Sequence, residues 1–211
     1  MVHLAASAFV AEADPTDFYA VNLLGTRHLL EALSTAVTPP LCTIVASSAN
    51  VYGNSTLEVL EETAETRPAN DYAVSKLAME YLAKTYMERL GIVITRPFNY
   101  SGVGQEPRYL IPKIVSHFKK QAAHIELGNT DVARDFSDVR DIAKAYRLLA
   151  EIQPNGEIFN LCSGEATALE TCIGIASEIT GHDIEVKVNP DFVRENEVTI
   201  LRGSREKFDG V

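Results

Sequence analysis

Short apolar runs alternate along this chain with longer stretches of helical periodicity, the pattern of an α/β protein rather than an all-α or all-β one. Strands are predicted at residues 1–4, 42–46, 93–96, 125–127, 157–161 and 184–188. Several are unbroken apolar runs of the kind found in a sheet covered on both faces. Helices are predicted over 15–36, 71–90, 112–120, 139–151 and 168–180. The first opens with Asp14 as N-cap and Pro15 at the first helical position, and sets Phe18, Val21, Leu24, Leu29 and Leu33 on an apolar stripe. Gly91 and Gly181 close the second and last. Pro112 is expected to open the third, with Tyr109 outside it. Residues 58–68 are acidic and polar and read as a surface loop.

Composition narrows the picture. The 211 residues are 46% hydrophobic and 23% charged, which fits a globular domain and excludes a disordered tail or a disulfide scaffold. No apolar run approaches the roughly 18 residues of a membrane span. Cys42, Cys162 and Cys172 are odd in number and form no CxxC pair, so a reduced, cytoplasmic setting is expected, with no zinc site and no cysteine nucleophile. A net charge of -10 argues against nucleic acid and membranes as partners. If phosphate is bound, a few placed arginines must do it. The twelve glycines include no GxGxxG run, the turn with which a dinucleotide-binding sheet normally opens.

Three segments point to one chemistry. Residues 45–53, Val-Ala-Ser-Ser-Ala-Asn-Val-Tyr-Gly, carry Ser47 and Ser48 at the C-terminal end of a strand, where open α/β sheets place ligands. Tyr72 and Lys76 are spaced i, i+4 near a helix start, so phenol and ammonium share a face, and a nearby cation favours phenolate. Residues 96–104, Arg-Pro-Phe-Asn-Tyr-Ser-Gly-Val-Gly, form another strand leaving the sheet for a loop. The YxxxK spacing alone is weak evidence, since it recurs at Tyr109 and Lys113. The serine-bearing strand before Tyr72 distinguishes the first copy.

Further segments share this order: His3-Leu-Ala-Ala6, Asn22-Leu-Leu-Gly-Thr26, the run 134–141 beginning Arg134-Asp-Phe, and Arg194-Glu-Asn-Glu-Val198 followed by Leu201. Together they resemble the extended short-chain dehydrogenase/reductases (the NAD-dependent epimerase/dehydratase family), most of all its GDP-4-keto-6-deoxy-mannose reductases and GDP-mannose 4,6-dehydratases. The resemblance covers almost the whole chain. Glu195 departs from it, standing where the family usually has proline. It implies a Rossmann-like doubly wound parallel sheet lacking its first βαβ units, with a small C-terminal substrate-binding α/β part. Residues 1–105 would belong to the dinucleotide-binding domain. Residues 106–211 would be mainly the substrate part, interleaved with returning Rossmann strands. By the same resemblance the chain is a fragment, cut at both ends, and these residues alone are expected to bind nicotinamide negligibly.

The resemblance also implies roles. Ser48 would hydrogen-bond the reacting carbonyl, Tyr72 would be acid or base, and Lys76 would lower the Tyr72 pKa and hold the nicotinamide ribose. Ala5, Ala6, Asn22, Pro97 and Phe98 would complete the site for NADP or NAD. Asn99, Arg134 and Arg194 would hold the phosphates of a GDP-linked sugar, and Glu197 its ribose. Relatives dimerise through the helices 15–36 and 71–90, for which Phe18, Leu23, Leu30, Met79, Tyr86 and Met87 offer apolar surface. Plainer readings stand beside these. Ser48 is a strand-end hydroxyl, Lys76 a solvated lysine beside Glu80, His3 a packed strand-end residue. Arg134 is a partner of Asp131, Asp135 or Asp138, and Arg194 a partner of Glu195 or Glu197. Dehydratases of the family carry a carboxylic acid within two residues of the catalytic hydroxyl, where this chain has Ala49 and Asn50, so dehydration is disfavoured. Reduction of a GDP-4-keto-6-deoxyhexose is the first expectation. A 4-epimerase or related dehydratase, or a non-catalytic remnant, are the alternatives.

Overall fold

The computed structural model describes residues 1–8, 14–193 and 198–211. Four short strands form a wholly parallel sheet: β1 (Val2–His3), β2 (Thr43–Ala46), β3 (Ile92–Pro97) and, arriving much later in the chain, a strand at Ile158–Leu161. The registers Val2↔Ile44, Val45↔Ile94 and Ile94↔Ile158 run straight across it. Alternation along β2 and β3 explains their unbroken apolar runs. Ile44 and Val93 point to one face, where they meet Ile142, Tyr146 and Leu149. Val45, Ile92 and Ile94 point to the other, against Leu30, Met79, Ala83 and Tyr86. Both faces are buried, so neither strand carries a polar side.

The first face is covered by a helix at Val139–Ile152 and the second by two consecutive helical regions. One runs from α1 (Pro15–Asp17) through a π-helix (Phe18–Gly25) into α2 (Thr26–Ser34); the other is α3 (Asp71–Lys84). Asp14 caps the first as expected, its carboxylate accepting from Thr16 N at 2.9 Å with Pro15 next. The apolar stripe is not the expected one. Phe18, Asn22, Thr26 and Leu30 are buried while Val21 and Leu24 are exposed, because the i→i+5 turns widen the helix and bring every fourth residue inward.

Beyond the sheet, β4 (Asn99–Ser101) leads to α4 (Leu110–Lys119), β5 (His124–Leu127) and β6 (Ala133–Asp138). α5 (Val139–Ile152) and β7 (Ile158–Leu161) return the chain to the first sheet. Then follow β8 (Ala166–Ala168), α6 (Leu169–Thr180), β9 (Glu185–Val188), β10 (Ile200–Leu201) and α7 (Glu206–Asp209). Strand β6 pairs in parallel with β4 and β10 and antiparallel with β8, and β5 pairs with β9. All six strands expected from apolar runs are present. β4, β6, β8 and β10 are not apolar runs; β6 reads Ala-Arg-Asp-Phe-Ser-Asp and is only partly buried. Helix α4 starts earlier than expected: Tyr109 is its N-cap and Pro112 sits third, still within the turn whose N–H groups lack an intrahelical acceptor.

A buried polar network braces β3, α3 and β7 on one side of the sheet. The Arg96 guanidinium on β3 grips Glu80 of α3 through Nε (2.9 Å) and Nη2 (2.7 Å), both side chains almost wholly out of solvent. Its Nη1 donates to the Tyr52 hydroxyl (3.0 Å) and the Glu62 carbonyl (3.1 Å). Tyr52 donates in turn to Asn160 of β7 at 2.7 Å, and Asn160 donates to the Leu60 carbonyl at 2.8 Å. The segment 58–68 is therefore more than a surface loop: Leu60 is buried and bridges Gly203, and Glu62 accepts from Asn160 N. Gly53, at φ 59°, ends the turn after β2 so close to the Arg67 carbonyl that a Cβ would lie 1.7 Å from its oxygen. Removing one partner of such a pair leaves the other charge buried and uncompensated. Glu80→Ala is expected to lower the unfolding free energy by about 3–5 kcal/mol, read by urea denaturation at pH 7. A loss below about 1 kcal/mol would mean that the pair is solvated in solution.

Candidate active site

Strand β2 ends in Ser47 and Ser48, and Ser48 caps the short 3₁₀ turn at Ala49–Tyr52, its Oγ accepting from Asn50 N at 3.2 Å. Ser47 N donates to the Thr95 carbonyl at 2.7 Å, so both serines leave the sheet where β3 does. Tyr72 enters from the first turn of α3, which Asn70 caps through Ala73 N at 2.9 Å. Only 8% of Tyr72 is exposed, and its ring meets Phe18 edge-on at 5.8 Å. Ser48 is the neighbouring group that favours its phenolate. Burial holds the Tyr72 phenol above its ordinary pKa, Tyr100 and Tyr109 push the same way, and Ser48 pulls against them. The sequence suggested a lowered value through Lys76. The structure gives the opposite direction, because desolvation is the largest influence.

Lys76 is 3% exposed, which excludes a solvated helix lysine. Its Nζ donates to the Ala46 carbonyl at 2.8 Å, fastening the ammonium to the end of β2 beneath the two serines. Burial draws its pKa down to about 8, while the Glu80 carboxylate one turn along resists the fall. At neutral pH the group is therefore still an ammonium. Glu80 itself answers Arg96 rather than Lys76. His3, at the end of β1, bonds Thr26 Oγ1 at 2.9 Å and is a packed strand-end residue, half-buried, its pKa lowered first by burial and then by Lys76.

The residues expected around a nicotinamide fall into two kinds. Ala5 and Ala6 are exposed just past β1, and Pro97 is half-buried at the end of β3. Asn22 is fully buried and holds Ser7 and Ser75. The Phe98 side chain packs among Ala49, Val51, Tyr52 and Leu60, so only its backbone belongs to the strand-end surface. A small open strand end beside a buried phenol and ammonium suits a nicotinamide and its ribose, since an ammonium has three donors and Ala46 takes one.

On the far side Asn99 pairs in register with Phe136, and its Nδ2 lies 3.4 Å from the Asp135 carbonyl. Arg134 precedes Asp135 on β6, donating from Nη1 to the Ala133 carbonyl at 2.8 Å. Asp135 turns inward, accepting from Ser163 N (2.7 Å), Ser163 Oγ (2.7 Å), Gly164 N (3.0 Å) and Gly203 N (3.2 Å), while Asp138 takes Arg140. Next to this strand lies a cavity of about 320 Å³, with Asn129, Asp131, Val132, Val188 and Thr199 among its lining residues. Arg194 and Glu197 lie outside the described residues. The second YxxxK pair is not kept off the helix as expected, since Lys113 N donates to the Tyr109 carbonyl at 2.8 Å; the Lys113 side chain instead donates to the Glu126 carbonyl at 2.6 Å and lies over the Phe192 ring. Ser75, Tyr100 and the cavity were not singled out from sequence. Glu80 was named there only as a surface neighbour of Lys76, whereas it is buried and paired with Arg96.

The family model for GDP-mannose 4,6 dehydratase matches residues 1–210. The chain is 37% identical over 209 residues to a GDP-6-deoxy-D-talose 4-dehydrogenase of Aggregatibacter actinomycetemcomitans, covering 99% of this chain and 71% of that one. It is 34% identical over 220 residues to a GDP-6-deoxy-D-mannose reductase of Pseudomonas aeruginosa, covering 99% and 72%. Among solved structures, that of RMD from Pseudomonas aeruginosa complexed with NADPH superposes with a TM-score of 0.90 at 32% identity, covering 99% of this chain and 73% of that one.

The depressed Lys76 pKa has a consequence for stability. Below about pH 8 both folded and unfolded chains hold the proton and the burial penalty is present in full; between there and 10.5 the unfolded state binds more protons and stability rises. Lys76→Met is therefore expected to stabilise the fold at pH 7 by up to about 3 kcal/mol, with the gain shrinking as pH climbs toward the unfolded value. Denaturant melts of both proteins across pH 7–10 measure this, and a pH-independent difference would contradict it.

Proposed function

This chain belongs to the GDP-mannose 4,6-dehydratase family, and from that premise we propose that it is an NAD(P)-dependent oxidoreductase that reduces the 4-keto group of a GDP-4-keto-6-deoxyhexose. The observation that carries the reading is the buried Tyr72 phenol beside Ser48 at the sheet edge, with the buried Lys76 ammonium one turn along the same helix. A phenol held above its ordinary pKa stays protonated at neutral pH and is suited to giving a proton. Ser48 polarises the C4 carbonyl, and Tyr72 protonates the oxygen as charge develops on it. A reduced nicotinamide, when bound, supplies the hydride that C4 accepts. The nearby Lys76 ammonium favours the phenolate left behind.

Dehydration needs a base for a carbon-bound proton. Ala49 is buried, Asn50 is exposed, and neither is a carboxylate. Asn99 and Arg134 are assigned to the sugar nucleotide's phosphates, with Arg194 alongside and Glu197 at the ribose; the cavity beside β6 is assigned to the nucleotide. The names of the two relatives, both acting on GDP-6-deoxy sugars at the level of a 4-dehydrogenase or a reductase, support this substrate class. Three free thiols suit a cytoplasmic setting.

Self-association through the helices 15–36 and 71–90 is part of the proposal, but not on the residues first expected. Phe18, Leu30, Met79 and Tyr86 are core. The outward apolar residues of those helices are Val21, Leu24, Val74 and Tyr81. Light scattering at micromolar concentration should give the mass of a dimer, and Tyr81→Glu should shift it toward the monomer.

The activity is tested by incubating the intact enzyme with GDP-4-keto-6-deoxy-mannose and NADPH or NADH and following nicotinamide oxidation. Tyr72→Phe should lower kcat by roughly 10²–10⁴-fold. Tyr109→Phe should stay within a few fold. Product isomerised without nicotinamide oxidation would replace reduction with epimerisation.

A further inference from the structure

Asn22 closes two hydrogen bonds with a single backbone unit after β1: its Oδ1 accepts from Ser7 N at 2.9 Å and its Nδ2 donates to Ser7 O at 3.0 Å. The other Nδ2 hydrogen goes to Ser75 Oγ at 3.0 Å. Ser75 has one hydroxyl hydrogen, and it is directed to the Tyr72 carbonyl at 2.8 Å. One donor-to-acceptor path thus runs from Ser7 N through Asn22 and Ser75 to the Tyr72 carbonyl, alongside the return bond from Asn22 to Ser7 O. Thr26 steadies Asn22, donating from Oγ1 to its carbonyl at 2.6 Å. With that hydrogen used, Thr26 accepts from His3 Nε2 at 2.9 Å. Asn22, Thr26 and Ser75 are all fully buried.

The end point of this chain matters. In an α-helix the Tyr72 carbonyl is the acceptor for Lys76 N–H, so Ser75 fastens the peptide unit that joins the two functional side chains. A buried serine inside a helix is otherwise unfavourable, since alanine has the higher propensity and no hydroxyl to satisfy. Packing alone gives no reason for it.

We propose that Ser75 is a positioning residue which, through Asn22, couples the segment around Ser7 to the orientation of Tyr72. The segment after β1 is where the preceding reading seats the nicotinamide, so the coupling ties cofactor seating to proton delivery; only the turnover half of the test rests on that reading. Ser75→Ala removes the hydroxyl with little change in volume and better helix propensity, so the variant is expected to fold, its melting temperature lowered by only a few degrees because the buried Asn22 Nδ2 loses one acceptor. Two readouts follow. Turnover with GDP-4-keto-6-deoxy-mannose should show kcat down roughly ten- to a hundredfold with KM for the sugar nucleotide within about twofold, because misplacing a reacting group acts on the transition state. Amide hydrogen exchange should quicken roughly tenfold at Ser7, remote from residue 75 in sequence, as the Asn22 amide loses its anchor. Wild-type kcat together with unchanged exchange at Ser7 would overturn the proposal. So would exchange quickened evenly along the chain rather than at Ser7, the mark of a merely structural serine. If the wild-type protein oxidises no nicotinamide, the reaction reading fails, and exchange at Ser7 alone still decides this inference.

Discussion

A protonated lysine placed under the edge of a parallel sheet is unstable unless its surroundings hold it there, and much of this molecule is arranged around that constraint. Lys76 has one carbonyl, that of Ala46, as its anchor, and a carboxylate one turn along to favour its charge. That carboxylate, Glu80, is itself buried and needs a counter-charge, and Arg96 meets it with two hydrogen bonds. Arg96 requires acceptors of its own, which Tyr52 and the Glu62 carbonyl provide, and so the network reaches Asn160 on the last strand of the sheet. Each buried polar group compels the next. The result ties α3, β3, β7 and the 58–68 segment into one rigid frame around the proposed reacting groups.

The same constraint accounts for what could be read from the sequence. Strands buried on both faces declare themselves as apolar runs, and β2, β3 and β7 were found that way. β6 is half-buried and built of charged and small residues, because its Asp135 turns inward to accept from Ser163, Gly164 and Gly203 while its neighbours lie near the surface. A periodicity argument has nothing to find there. The long first helix shows the converse error. Its buried residues 18, 22, 26 and 30 include two polar ones, Asn22 and Thr26, which look like a solvent face unless their partners on other elements are known. The π-helical turns shift the register further, so residues that seemed to line the core, Val21 and Leu24, face outward.

Ser48, Tyr72 and Lys76 were legible because their spacing reflects a geometric need: phenol and ammonium one helical turn apart, opposite a strand-end hydroxyl. The structure brings Tyr72 to Ser48 and Lys76 to the strand beneath. The direction of the Tyr72 pKa was not legible, since spacing reveals a neighbour but not the loss of solvent around it. Ser75 was invisible for a related reason. A serine between Val74 and Lys76 in a helix carries no pattern, and its meaning lies wholly in bonds to Asn22 and to the Tyr72 carbonyl.

The central claim is that this framework delivers a proton to an oxygen on C4 while that carbon gains a hydride. It is tested most directly with a nicotinamide carrying deuterium at the transferable position and GDP-4-keto-6-deoxy-mannose as acceptor, the product being examined by mass spectrometry and proton NMR. The account predicts one deuterium per sugar, located at C4, with one nicotinamide oxidised for each. A product that contains no deuterium, or that forms without any net oxidation of the nicotinamide, would contradict it.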